Sequence, residues 1–263
     1  MKDIITERIG EENYNKYGTL MRLITYNHAS SVLIEFQDKH KAIIHTSYQC
    51  FKNGTVTNPY DKVVYGKGYM GQGKYSSREN NKKTDCYNTW YKMIERCYDE
   101  KYHKKYSTYI DCEVCEEWLC FQNFAKWYEE YYYEIEGQRM HLDKDILVKG
   151  NKIYSPQTCL FVPLRINELF TKSNAIRGEY PIGIYYYKQT NKLKAQCSIY
   201  DNELKKKKRI GLGYFPLNEP FKAFTCYKNF KENYIKQVAD EYKDLIPTEL
   251  YEAMYKYEVE IND

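Results

Sequence analysis

The side chains best suited to chemistry in this sequence are cationic and aromatic, and they gather late in the chain. Lys205, Lys206, Lys207, Lys208 and Arg209 form an unbroken basic run. Just before it, Leu193, Ala195, Cys197 and Ile199 alternate with Lys194, Gln196, Ser198 and Tyr200. A period of two sends successive side chains to opposite faces of a strand. One face is then apolar and packs, while the other carries ammonium, amide and hydroxyl groups, joined by Tyr185 and Tyr187 on the preceding segment. Such donors can read base edges, aromatic rings can stack on bases, and the basic run can neutralise phosphates. A basic run by itself equally fits a solvated hairpin, so the alternation is the more informative feature. The charge distribution agrees. Lys172 to Gln237 holds 14 Lys/Arg against 5 Asp/Glu, a local +9 in a chain of +4, which leaves about −5 for the remainder.

The elements that must hold this face are legible around it. Ile182-Gly183-Ile184-Tyr185-Tyr186-Tyr187 opens a strand, Thr190-Asn191-Lys192 turns the chain, and Asp201-Asn202-Glu203 turns it again before Ile210-Gly211-Leu212-Gly213-Tyr214-Phe215. Asn218 suits the N-cap of a helix bearing Phe221, Phe224, Tyr227, Tyr234, Ile235, Val238 and Tyr242. The expectation is three antiparallel strands with a helix across one face.

Upstream, Trp90, Met93, Ile94, Cys97 and Tyr98 recur with helical spacing, and a second helix carries Trp118, Phe121, Phe124, Trp127 and Tyr128 behind Glu116 and Glu117. His141 to Leu147, a Gly150-Asn151 turn, Cys159 to Pro163 and a segment with Asn167 read as a β-hairpin closed by a helix. Residues 1–75 read as mainly β, a small barrel or curled sheet, with Val32, Ile34 and Phe36 on one strand face and Asn53-Gly54 as a tight-turn signal. Gly66, Gly68, Gly71 and Gly73 mimic a nucleotide-binding loop by letters alone. Polar residues from Ser76 to Lys83 follow instead of an amphipathic helix, which points to a turn-rich connector. Nine cysteines and no apolar leader suit a reduced, cytoplasmic protein. Cys112-x-x-Cys115, with Cys97 and Cys120 nearby, lacks a second close pair and reads as core rather than as a zinc site. Aromatics at 17% argue against long disorder, and no ~18-residue apolar run suggests a membrane span.

Two resemblances sharpen these readings. Trp90 to Tyr98 (W-Y-K-M-I-E-R-C-Y), Trp118 with Phe121 and Phe124, Leu142-Asp143-Lys144-Asp145, and Tyr154-Ser155-Pro156-Gln157-Thr158-Cys159 resemble the HNH-like proteins of phages and mobile elements. That resemblance implies a ββα-metal core with Mg2+ or Mn2+ where it is catalytic. It aligns Asp143-Lys144 with the family's Asp-His pair, which puts lysine at the general-base position and Thr158 at the central Asn position. Asp143 and Asn167 remain as metal ligands, and His141, on the strand face of Asp143, as a substitute base. Separately, Ile182-Gly183-Ile184, Lys192 to Gln196, Leu212 to Phe215 and the following helix resemble the ethylene-response-factor (APETALA-type) DNA-binding domain. In that family the sheet enters the major groove. Ile182 and Tyr185 replace its usual arginines and Leu193 its usual Trp or Phe, so its base preference does not carry over.

The expected fold is α+β and multidomain: a small β barrel-like domain (1–75), a linker (76–85), an HNH-like ββα-metal domain (86–172), a sheet-plus-helix domain (175–246) and a tail (247–263). The expected partner is double-stranded DNA, met by Tyr185, Tyr187, Lys192, Lys194, Gln196, Ser198, Lys205 to Arg209 and Tyr214. The expected core is degenerate. The rival readings are an active homing-type endonuclease using His141 and Asp143, and a factor binding a host protein through residues 1–75.

Overall fold

The computed structural model describes residues 7–171, 179–201, 204–261 and 263. They form a mixed α/β fold with several small sheets, which divides into two compact units. Among the described residues no helix is long and apolar enough to cross a membrane. The turn expected at Asn202 and Glu203 lies outside the described residues, as do residues 1–6 and the start of the sheet domain near 175.

The first unit contains residues up to Tyr131 and Lys152–Pro156. Its strands β1 (Glu12–Tyr14), β2 (Leu20–His28), β3 (Ser31–Phe36) and β4 (Ile43–Thr46) form an antiparallel meander in that order. The alternation in β3 buries Val32, Ile34 and Phe36 against Met21, Leu23 and Phe51. Instead of the expected barrel, the described strands make an open sheet, with β1 and β4 as its edges. The tight turn expected at Asn53-Gly54 is present, and it ends a helix. Ser47 caps α1 (Tyr48–Lys52), and Gly54 and Thr55 return their N–H groups to Phe51 and Cys50.

The glycine-rich stretch runs against neighbouring aromatic and sulfur groups, Gly68 on the Trp90 ring and Gly71 on Cys120 Sγ. The expected linker is a small hairpin of β5 (Arg78–Glu79) and β6 (Lys82–Lys83). It turns at Asn80 and Asn81, both with positive φ. Thr84 then caps α2 (Asp85–Tyr98), which buries Trp90, Met93, Ile94 and Cys97 as its spacing predicts. A short α3 (Glu100–Lys105) leads to β7 (Glu113–Val114). This strand pairs in parallel with β9 (Ile153–Tyr154), which the chain reaches after β8 (Met140–Asp143) of the second unit. The second aromatic helix is interrupted: a 3-10 turn at Glu116–Leu119 precedes α4 (Phe121–Tyr131). Tyr69 accounts for the break, taking the Leu119 carbonyl with its N–H and receiving the Phe121 N–H on its carbonyl.

In the second unit β8 pairs antiparallel with β10 (Leu160–Pro163), and α5 (Leu164–Phe170) follows at once. The basic segment forms an antiparallel sheet of β11 (Ile184–Tyr187), β12 (Lys192–Asp201) and β13 (Lys206–Phe215). Helix α6 (Pro220–Tyr242) begins with Pro220 in its first turn rather than with Asn218 as cap, because proline needs no partner for an N–H there. Its first half lays Ala223, Phe224 and Tyr227 on Ile184, Leu193, Ala195 and Cys197. Its second half packs Tyr234, Ile235, Val238 and Tyr242 with Ile146, Leu160, Val162 and Ile166. At ~1.5 Å per residue, these 23 residues span about 34 Å, enough to serve both clusters. The expected tail also packs: α7 (Thr248–Lys256) buries Leu250 and Met254 in the second cluster, and Val259 closes the first.

Candidate nucleic-acid interface

Strand register decides what the basic sheet presents. Leu193, Ala195 and Cys197 are buried beneath α6, so Lys192, Lys194, Gln196 and Ser198 face outward. Tyr185, Lys194 and Tyr214 stand directly opposite one another across the three strands, and Ser198 stands opposite Arg209. Gly183 supports the inner side. Its φ is +78°, and a Cβ there would overlap the Tyr227 ring, so only glycine lets that ring lie beneath the sheet edge.

The outer face is not uniform. Lys194 Nζ lies 5.9 Å from the Tyr185 ring centroid, 5.3 Å from Tyr187 and 5.5 Å from Tyr214. The Tyr187 and Tyr214 rings are themselves 5.4 Å apart. This is a three-tyrosine cage closed on its own lysine, a cation held over the electron-rich ring faces. Gly211 leaves the space for it, since a Cβ there would come within 3.2 Å of Lys194 Cε. A bulge shifts the register between Ala195 and Gln196, passing over Leu212. The Tyr185 hydroxyl, helped by Tyr214, raises the Lys194 pKa above its ordinary value.

The basic run divides where the sequence suggested one surface. Lys205 sits in the turn with φ +48°. Lys207 and Arg209 lie opposite Tyr200 and Ser198 on the outer face, whereas Lys208 lies opposite Ile199, whose side chain packs toward the core. Lys207 is partly committed as well, bridging to Glu168 of α5 at 3.1 Å. Gln196, Ser198 and Arg209 therefore stand out on that face.

On the hairpin, the side chains aligned with HNH positions serve the local fold. Asp143 Oδ1 accepts the N–H groups of Asp145 at 2.7 Å and Ile146 at 2.8 Å, capping the turn that follows its strand. Burial raises its pKa above the ordinary 3.8, and those two N–H groups oppose the rise. Lys144 is buried, and its ammonium donates to Asp145 Oδ2 at 2.8 Å and to the Asn151 carbonyl at 2.7 Å. Asn151 answers by donating to the Lys144 carbonyl. His141 pairs with Val162 in the strand ladder, and Asn167 is half-buried on α5. One Asp143 oxygen is thus spent on backbone, and among the described residues no three His, Cys, Asp or Glu side chains gather as a metal-holding group. Cys112 is buried with its Sγ toward the Thr108 carbonyl, and Cys120 Sγ faces the Met70 carbonyl.

Sequence reasoning missed Arg165, Tyr200, Lys231 and Tyr234, which gather with the far end of the sheet. Tyr200 had a place in the outward alternation of β12 and Tyr234 one among the core positions of the helix; neither pattern marked a site. No protein-family model matches this sequence, and neither a curated protein nor a solved structure matches it.

Proposed function

We propose that this chain is a sequence-specific double-stranded DNA-binding protein of a phage or mobile element, acting in the bacterial cytoplasm. The outer face of β11, β12 and β13 enters the major groove, as in the ethylene-response-factor-type domain it resembles. The observation that carries this reading is the split of one strand, β12, into a face sealed by α6 and an outward row of Lys194, Gln196 and Ser198 beside Arg209. Gln196 and Arg209 carry the side-chain types that make bidentate contacts to base edges, and Lys192 and Lys205 to Lys207 supply phosphate contacts. The order β8, β10, α5 follows the ββα order of HNH scaffolds, and we read it as a degenerate version that grips DNA. The use of Lys144 and Asp143 as loop staples supports that reading.

Selection of bound duplexes from a random library, followed by anisotropy titration, tests the assignment. A recovered motif bound at least about tenfold more weakly by the Gln196→Ala/Arg209→Ala variant is the expected result. Equal binding by wild type and variant would overturn the docking face.

A further inference from the structure

Beyond Ala195, β12 has left its partner β11. The ladder between them ends at Ile184 opposite Ala195, with one further bond from the Gln196 N–H to the Gly183 carbonyl. A cavity of about 510 Å³ occupies the space beside this edge, wholly within the second unit. Ser198 and Arg209 are exposed at its rim, whereas Cys197 and Tyr234 are buried deeper.

Four cations line it: Arg165, Lys207, Arg209 and Lys231. Arg165 is paired with Glu241 at 2.6 Å and Lys207 with Glu168. The Lys231 and Arg209 side chains have no hydrogen bond or ion pair among the described residues. Lys231 is also partly buried, near the Cys197 thiol and the Lys207 ammonium, a like charge. Desolvation pushes its pKa below the ordinary lysine value. A partly desolvated ammonium with no ion-pair partner is stabilised by an anion. The acidic residues of the lining do not supply one, because Glu168 is held by Lys207 and Asp263 by Lys149 at 2.8 Å.

The rest of the wall is aromatic. Tyr185, Tyr200, Tyr227, Tyr234 and Tyr257 all contribute, and the Arg165 guanidinium lies 5.3 Å over the Tyr200 ring. The volume lies within the ~300–1,000 Å³ typical of small-molecule sites. Unpaired positive charge, flat aromatic surface and this size together describe a phosphate carrying a planar ring.

We propose that this cavity is a nucleotide-binding pocket. The phosphate is met by Lys231 and Arg209, and the base lies against the tyrosines. Two sources share that chemistry. One is a free mononucleotide. The other is an unstacked nucleotide of a bound DNA strand, which arises because Tyr185, Gln196, Ser198 and Arg209 belong both to this wall and to the proposed DNA face. The pocket does not depend on the DNA reading, and only the second source does.

The full chain is titrated by calorimetry with the four common ribonucleoside and deoxyribonucleoside monophosphates, with the corresponding nucleosides and with inorganic phosphate. It is also titrated with duplexes carrying a mismatched 2-aminopurine, whose fluorescence rises on unstacking. Lys231→Met keeps the length of the side chain and removes the charge without touching the outer face. Ser198→Trp, which fills the rim, is the second variant should the first fail to fold. Saturable binding of a monophosphate, weakened about tenfold or more by Lys231→Met and by loss of the phosphate, is the expected result. If the monophosphates do not bind but the 2-aminopurine signal rises in wild type and is lost in Lys231→Met, the source is the DNA strand. Binding of neither, binding unaffected by both variants, or inorganic phosphate binding as well as every nucleotide would overturn the proposal. A pocket that fails while Gln196→Ala/Arg209→Ala still abolishes duplex binding leaves the DNA reading standing.

Discussion

The basic sheet and the β8–β10 hairpin both set polar side chains at alternate strand positions, yet they use them in opposite ways. In the sheet, α6 seals one face with Ala223, Phe224 and Tyr227, and β13 pairs with β12 along its length. On the other face Gln196, Ser198 and Arg209 reach solvent without such local duties. In the hairpin, a loop from Lys144 to Asn151 must be held with little regular structure of its own. Asp143, Lys144 and Asn151 supply the hydrogen bonds it lacks. A polar residue is available for function where regular backbone pairing has already met the local need for donors and acceptors. Elsewhere the fold takes it first.

Removing the support of the sheet gives the largest expected effect. Gly183→Ala places a methyl group on the Tyr227 ring at a positive φ. A loss of roughly 2–4 kcal/mol in urea unfolding is expected, with DNA affinity falling with the folded fraction. Lys144→Met should come next, because it leaves the half-buried Asn151 carbonyl without its ammonium donor; a loss of about 1–3 kcal/mol is expected, with a smaller drop in duplex affinity than Gln196→Ala/Arg209→Ala gives. An equal drop would make the hairpin as important to the DNA grip as the sheet.

Asp143→Asn separates a structural role from a catalytic one. Because burial raises the Asp143 pKa, the folded state holds that proton more tightly than the unfolded state does. This favours folding below the ordinary value of 3.8 and is lost as pH rises through the folded value. The asparagine keeps the oxygen that accepts the two N–H groups and removes the buried charge. Stability at neutral pH should therefore be unchanged or higher, with a flatter pH profile, as read by thermal melts across pH. A plasmid assay with Mg2+ or Mn2+ completes the test: metal-dependent cutting lost in Asp143→Asn would make the hairpin an active nuclease site.

The smallest effect concerns the cage. Tyr185→Phe removes the hydroxyl that contributes most to holding the Lys194 proton, so the lysine titration followed by NMR should move down toward its ordinary 10.5. Arg209→Ala should cost more DNA affinity than Lys194→Met and relax the base preference at the position it reads, since Lys194 is already engaged by three rings.

Much of the sheet was legible because a period of two can satisfy only one arrangement once one face is buried. Leu193, Ala195 and Cys197 took the places that their alternation predicts, as did Trp90, Met93, Ile94 and Cys97 on their helix. Signals that two structures share were harder to read. Asn53-Gly54 suits a helix stop as well as a hairpin turn, and the neighbouring backbone decides between them. Lys205 to Arg209 is one run in the chain but divides between faces as soon as β13 extends.

The sequence by itself determined the alternating strand, the amphipathic helices and the separation of a +9 segment from a mildly acidic remainder, because these depend on composition and on spacing along the chain. Only the tertiary structure decided that one 23-residue helix serves both the basic sheet and the hairpin, that Lys194 lies among three tyrosines, and that Asp143 and Lys144 staple a loop. It also brought Lys231, Arg209 and Arg165 to one cavity. These features join residues tens of positions apart. Long-range packing, not local pattern, determines whether a charged side chain finds a partner within the fold or is left to bind something else.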